Sequence, residues 1–267
     1  MKNKPHFLSV IIPIYKQEKT IKNDLEKINE TLKQIRYNYE IIAVVDGIHV
    51  DDSFSEAKKC KLPKLKVFGF NNNHGKGYAV RYGMAKTQGD YIAFIDAGME
   101  IDPNGISLVL EHMEWYNADI IVASKRHPAS MVHYPIDRKI ISFGAYLISK
   151  FLLGINVHDT QAGLKIFKRS VLIKVLPRLL VKNYAFDLEI LSVANKLGFK
   201  KIFEAPIKLN YDFTSLTHAT GLKTIYSCLI EAMAVFYRLR ILNYYDDKNK
   251  RKWVYNPELE MRVNTGK

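Results

Sequence analysis

An apolar run, Tyr91-Ile92-Ala93-Phe94-Ile95, stops at a row of carboxylates: Asp96, Glu100 and Asp102 follow, and Pro103 closes the segment. The run reads as a buried strand. A carboxylate at the tip of such a strand is partly desolvated and needs a cation, a donor or water. Hard divalent cations take oxygen ligands and combine one or two carboxylates with substrate phosphates. Asp96 and Glu100 are therefore candidate ligands for Mg²⁺ or Mn²⁺. Asp46 ends a second apolar run, EIIAVVD. Either aspartate could instead serve as a turn or cap residue. Between them, NNNHGKGYAVRYG places Gly75 and Gly77 around Lys76, ahead of a helical stretch. A glycine turn before a helix can hold phosphate with backbone N–H groups. The spacing is not that of a P-loop, and no Ser or Thr follows Lys76.

The elements around these residues alternate. Phe7–Ile14, Glu40–Val45, Leu65–Phe70, Tyr91–Ile95 and Asp119–Ser124 read as strands, and Leu164–Phe167 as a short one. Ile21, Leu25, Ile28, Leu32 and Ile35 recur at helical spacing. Further helices are expected over Tyr78–Lys86, from Pro103 to Asn117, Arg138–Leu153, Ala185–Leu197 and Thr220–Leu242. This alternation predicts an α/β fold with a mostly parallel, Rossmann-like sheet and right-handed crossovers. Ligands of such sheets bind beyond the C-terminal strand ends, so Asp46 and Asp96 can face one cleft.

The 267 residues, 48% of them hydrophobic, suffice for a sizeable core. Cys60 and Cys228 are the only cysteines, which reads as free thiols in a reducing compartment. Neither a signal peptide nor a run of transmembrane length is expected. The net charge of +13 favours anionic partners: phosphorylated substrates, acidic lipid or nucleic acid. Nucleic acid fits least, because no recognised motif or basic stripe with interleaved aromatics is found.

Seven blocks in order carry a resemblance: SVIIPIYKQEKTI, YEIIAVVDG, NHGKGYAVRYGMAKTQGDYIAFIDA, VASKRHP, DTQAGLKIFKRSVL, YAFDLEIL and EAPIKL. Together, over about residues 7–211, the chain resembles family 2 glycosyltransferases of the GT-A fold. More narrowly, it is similar to polyprenyl- or dolichyl-phosphate sugar transferases of the dolichyl-phosphate mannose or glucose synthase type. That resemblance implies a nucleotide-sugar donor held near Pro13, Tyr15, Asp46, Lys76 and Asp96. The family's Asp-x-Asp metal motif falls on Asp96 and Gly98, so the middle carboxylate is missing and Glu100 stands two positions later. Gln17 replaces the family's usual Glu, with Glu18 beside it as a substitute. The acceptor lipid phosphate would meet Lys125, Arg138 and Ser142, with Arg126 adjacent. Asp96, Lys125 and Arg138 are thus the expected catalytic set. Asp159 and Gln161 would contact sugar hydroxyls or orient the basic residues. Glu189 of FDLE is read either as a wall of the site or as a helix surface charge.

The implied reaction is an inverting displacement at the anomeric carbon by a phosphate oxygen. A phosphate monoester, with its second pKa near ~6, is largely dianionic at neutral pH and needs no general base. Two divisions are expected: a catalytic domain over 1–212, and a C-terminal amphipathic helix with a basic tail over 213–267. The helix would serve membrane association or a homodimer contact, on the cytoplasmic face of a membrane. Two alternatives stay open. The same fold could use a saccharide hydroxyl as acceptor, with Asp159 as base. The chain could also be a non-catalytic, membrane-associated binding protein, which Gly98 and Gln17 would favour.

Overall fold

The computed structural model describes residues 6–132, 144, 146–147, 149–183, 185–209, 222–248 and 252–264. Strands β1 (Phe7–Ile14), β2 (Asn38–Asp46), β3 (Leu65–Phe70), β4 (Tyr91–Ile95), β5 (Ile120–Ser124), β6 (Leu164–Lys168) and β7 (Ile202–Pro206) form one sheet. Its order is β3-β2-β1-β4-β6-β5-β7. β1, β2 and β4 are continuous apolar runs because both their faces are covered: Val10, Ile11, Ile42, Val44, Ile92 and Phe94 are all fully buried. All pairings are parallel except those of β6, which runs antiparallel between β4 and β5. This reversal matters for the site. It sets Leu164 opposite Ile95, so the loop entering β6 arrives at the same sheet edge as the loops leaving the parallel strands.

Helices α1 (Ile21–Lys33), α2 (Ser53–Lys59), α3 (Lys76–Ala85), α4 (Gly105–Trp115), α5 (Arg169–Val175) and α6 (Phe186–Lys196) join the strands. In α1 the expected stripe of Ile21, Leu25, Ile28 and Leu32 is fully buried. Each such side chain contributes about 1.5–3 kcal/mol of burial. Residues 144, 146–147 and 149–153 are helical, within the helix expected there.

A further helix, α7 (Leu222–Phe236), continues through a π turn at Tyr237–Ile241. Downstream, where a basic tail was expected, Trp253–Asn256 (β8) and Met261–Asn264 (β9) form an antiparallel hairpin. It docks on the body: Glu258 pairs with Tyr78 of α3 and Glu260 with Lys86, the residue that follows α3. Arg178 donates to the Tyr245 carbonyl at 3.1 Å and lies over the Trp253 ring. Tyr244, Tyr245 and Leu259 are buried as a result.

Candidate functional site

The C-terminal edge of the sheet gathers several of the acidic and basic residues that the sequence singled out. Asp96 follows β4 directly, and its N–H donates to the Gly163 carbonyl at 2.9 Å. Its carboxylate lies so close to Gly163 that a Cβ there would stand 2.4 Å from Oδ2. Glycine at 163 is therefore a requirement of space. Lys76, at the start of α3, donates to Asp96 Oδ2 at 2.7 Å. The other oxygen, Oδ1, is buried and has no hydrogen-bond partner. Burial opposes the charge on Lys76, but Asp96, Asp187 and Glu100 outweigh it and hold its pKa above the ordinary lysine value.

The turn after Asp96 runs through two left-handed residues, Gly98 (φ +92°) and Met99 (φ +58°). At such a φ, glycine is favoured over the aspartate of the family pattern. The side chain of Gln17 lies 3.7 Å from where a Gly98 Cβ would be, so the two departures from that pattern sit side by side. Glu100 is exposed and lines a groove with Glu26, Lys27 and Glu30 of α1. No group of three or more His, Cys, Asp or Glu side chains converges among the described residues. Asp96 and Glu100 each offer the carboxylate oxygens that a hard divalent ion takes, Asp96 Oδ1 being buried without a partner, and such ions complete their shells from substrate phosphates and water.

Asp46 is buried, and both its oxygens are engaged by the glycine turn: His74 N and Gly75 N donate to them at 2.7 Å each. These amides are spent on Asp46, so they form no open phosphate cradle, contrary to the simplest reading of the glycines. The pairing instead fixes the start of α3 and hence Lys76. Pro13 is half-buried in β1 and Tyr15 is exposed just beyond it. Glu18 is exposed and tied to the loop after β2: its N–H donates to Asp51 and its carboxylate accepts from Asp52 N.

Across the Gly163 loop, Asp159 is buried and engages Lys125 twice. Its Oδ2 accepts Lys125 N–H at 2.9 Å and lies 3.3 Å from the ammonium. Arg126 N–H donates to Ser124 Oγ. Glu204 of β7 holds the loop by accepting from His158 N and Asp159 N. Gln161 is exposed. Arg138 and Ser142 lie outside the described residues.

Glu189 is neither a surface charge nor an accessible wall. It is fully buried in α6 and accepts from Leu180 N, Val181 N and Tyr245 OH, at 2.9, 2.9 and 2.6 Å. Burial pushes its pKa up, and those donors oppose the shift. Its work is to tie the C-terminal segment to the body.

Sequence reasoning missed a third lysine–aspartate pair. Lys165 of β6 is fully buried and donates to Asp187 Oδ1 at 2.6 Å and to the Ala162 carbonyl at 2.7 Å. Burial lowers its pKa, against the pull of Asp187. The ring of Phe94 contacts both ammoniums, 5.1 Å from Lys165 Nζ and 5.7 Å from Lys76 Nζ. A lysine between Leu164 and Ile166 in an apolar strand, with an aspartate in FDLE, was the available signal.

A mostly parallel sheet with one reversed strand, carrying acidic strand-end residues beside fixed lysines, has the GT-A architecture. The sequence profile described as Glycosyl transferase family 2 matches residues 9–176, and the chain belongs to that family. It is similar to a dolichyl-phosphate beta-glucosyltransferase of Drosophila melanogaster, 30% identical over 205 residues, 71% of this chain and 63% of that protein. It is also similar to a UDP-N-acetylglucosamine–dolichyl-phosphate N-acetylglucosaminyltransferase of Methanococcus voltae, 27% identical over 251 residues, 87% of this chain and 94% of that one. Among solved structures, glucosyl-3-phosphoglycerate synthase of Mycobacterium tuberculosis, in complex with Mn²⁺, UDP and phosphoglyceric acid, shares the fold. Its TM-score is 0.65 at 17% identity, covering 97% of this chain and 86% of that one. The chain thus spans less than two thirds of the fly relative's length.

Proposed function

We propose that this protein transfers a sugar from a nucleotide-sugar, a UDP- or GDP-sugar, to a polyprenyl or dolichyl phosphate at a membrane surface. The observation that carries this reading is the placement of two separately anchored lysines at one sheet edge. Lys76 is paired with Asp96, Lys125 is paired with Asp159, and the Gly163 loop lies between them. Two anions, the donor diphosphate and the acceptor phosphate, need two such cations. The dolichyl-phosphate relatives support a lipid acceptor.

In this reading Pro13, Tyr15, Glu18 and Asp46 border or shape the nucleotide side, and Lys76 meets the diphosphate. Asp96 and Glu100 would hold Mg²⁺ or Mn²⁺, which supplies Lewis-acid stabilisation of the leaving diphosphate when bound. Lys125, Arg126, Arg138 and Ser142 receive the acceptor phosphate, arginine suiting it through paired charge-assisted bonds. Asp159 holds Lys125 in place, and Gln161 reaches toward the sugar. An acceptor phosphate oxygen forms a bond to the anomeric carbon on the face opposite the leaving group. The bond from that carbon to the diphosphate breaks, the nucleoside diphosphate departs, and the anomeric configuration inverts. The acceptor is already anionic, so no proton has to be removed and no base is required.

A lipid acceptor requires approach to a bilayer. No helix among the described residues is long and apolar enough to cross one. The reading places the chain peripherally at the cytoplasmic face, and the exposed Tyr226, Ile230 and Met233 of α7 support a membrane contact.

The test is to supply radiolabelled UDP- and GDP-sugars with polyprenyl phosphate. Label is expected in the organic-extractable lipid, with the anomer inverted by NMR. Label confined to a water-soluble glycan, or no transfer from any donor, overturns the reading.

A further inference from the structure

Lys76 stands where a divalent ion would first meet Asp96. Its ammonium is 2.7 Å from Oδ2, and Oδ1 of the same carboxylate is closed off from solvent without a partner. A divalent ion binding Oδ2 therefore competes with Lys76 for it, although 38% of the Asp96 side chain stays exposed. After Asp96, Asp187 and then Glu100 favour the charged form of Lys76. Asp187 is itself fixed, buried against Lys165, which also holds the Ala162 carbonyl of the adjoining loop.

We propose that Lys76 is a tethered placeholder for the divalent cation, occupying Asp96 in the ligand-free protein and yielding that carboxylate only when the donor diphosphate arrives. The proposal rests on the reading of Asp96 as a metal ligand. Its physical basis is competition between two cations for one carboxylate. A tethered ammonium competes at a high effective concentration and loses little freedom in doing so. An ion arriving alone must displace Lys76 from its best partner. An ion arriving with a diphosphate gives Lys76 a new anion at the same moment, so displacement is compensated. Ion and donor then bind as a unit. The carboxylates are also kept from collecting free metal.

The experiment titrates Mn²⁺ into the full chain by EPR, without nucleotide and with UDP or GDP. Wild type is compared with Lys76→Met, Lys76→Gln and Lys76→Arg, each checked for a native circular dichroism spectrum. Without nucleotide, the Met and Gln variants are expected to bind Mn²⁺ about tenfold more tightly than wild type, about 1.4 kcal/mol. The Arg variant is expected to stay near wild type. Asp96→Asn added to Lys76→Met abolishes the gain. With nucleotide, wild type gains more Mn²⁺ affinity than the Met variant. Equal Mn²⁺ affinity of wild type and the neutral variants without nucleotide overturns the placeholder, even where nucleotide still promotes Mn²⁺ binding. Failure of Mn²⁺ to bind any of them, with or without nucleotide, removes the metal reading as well.

Discussion

Asp159 grips Lys125 at two points, the backbone N–H at 2.9 Å and the ammonium at 3.3 Å, through the same carboxylate oxygen. Asp159 is buried while Lys125 keeps a quarter of its side chain exposed. The aspartate is thus the fixed member and the lysine the one it aims. Asp159→Asn retains a backbone acceptor but loses the charge that orients the ammonium. The acceptor KM is expected to rise about tenfold or more, equivalent to about 1.4 kcal/mol, with the donor KM little changed. Steady-state kinetics with each substrate varied in turn make the comparison. Equal increases in both constants would remove Asp159 from the acceptor side.

Gly163 offers a test of the Asp96 position that leaves every charge in place. A Cβ at 163 would lie 2.4 Å from Asp96 Oδ2, well inside contact distance. The carboxylate must swing away from Lys76 or the β6 loop must shift. Displacements of about 1 Å at a reacting centre cost on the order of a hundredfold in rate. Gly163→Ala is therefore expected to lower kcat/KM by about that factor while the protein still folds. An active Ala variant with unaltered donor binding would show that Asp96 is not needed where it stands.

The buried Lys165–Asp187 pair separates stability from positioning. Removing one partner leaves an uncompensated buried charge, which costs about 3–5 kcal/mol. Lys165→Met is expected to lose that much in chemical denaturation. Lys165→Met with Asp187→Leu should recover most of it, because matched apolar replacement of a buried pair is often neutral. The double variant is still expected to bind donor poorly, since Lys76 has lost Asp187 and the Ala162 loop has lost its tether. Full donor affinity in the stable double variant would mean that the pair serves folding alone.

The sheet was legible in the sequence because strands covered on both faces must be apolar throughout: FLSVIIPI, EIIAVV and YIAFI have no other arrangement in water. The short helix α2 was not, since only Ser53 and Ala57 of its seven residues are buried and no stripe forms. The β8–β9 hairpin was masked by a lack of alternation, with the adjacent Val254 and Tyr255 both exposed in a four-residue strand. Within the site, strand-end aspartates were legible from their position after apolar runs. Their partners were not. The pairing of Asp46 with amides 74 and 75, and of Lys165 with Asp187, depends on loops that meet only in three dimensions.

Glu40 gives the fold an acid limit. It is buried in β2 and accepts from Lys66 Nζ at 2.9 Å, Gln88 N at 2.7 Å and Ser9 Oγ at 2.7 Å. Burial alone would raise its pKa, but Lys66 and these donors outweigh it, and the folded value lies below the ordinary one. A carboxylate depressed in the folded state contributes stability above its unfolded pKa, about 4.3, and loses that contribution as pH falls through the folded value. Glu40→Gln is expected to cost about 1–3 kcal/mol at neutral pH and to flatten the loss of stability below about pH 4.3. Urea denaturation at a series of pH values measures both. An unchanged acid limb in the variant would assign acid unfolding to other carboxylates.

The last helix turns Glu231 and Arg238 inward. Glu231 accepts from Asn183 Nδ2 and Ala185 N at 3.1 and 3.0 Å, capping the approach to α6, and Arg238 donates to Tyr245 OH at 3.2 Å. Helical spacing alone does not reveal which face is outward. The outward face carries Tyr226, Leu229, Ile230, Met233, Tyr237 and Ile241, each between 41% and 66% exposed. Such a stripe, with tyrosines and the exposed Arg240 beside it, suits the boundary between acyl chains and headgroups. Ile230→Asp with Met233→Asp places two charges on that stripe while leaving the buried Ala232, Val235 and Leu239 untouched. The wild-type chain is expected to float with phosphatidylcholine–phosphatidylglycerol vesicles, and the double variant to remain at the bottom of the gradient. Transfer to a short, water-soluble polyprenyl phosphate should persist in the variant, because the site residues lie elsewhere. Flotation of both proteins alike would place the membrane contact on another surface, and flotation of neither would leave the lipid acceptor to be reached without one.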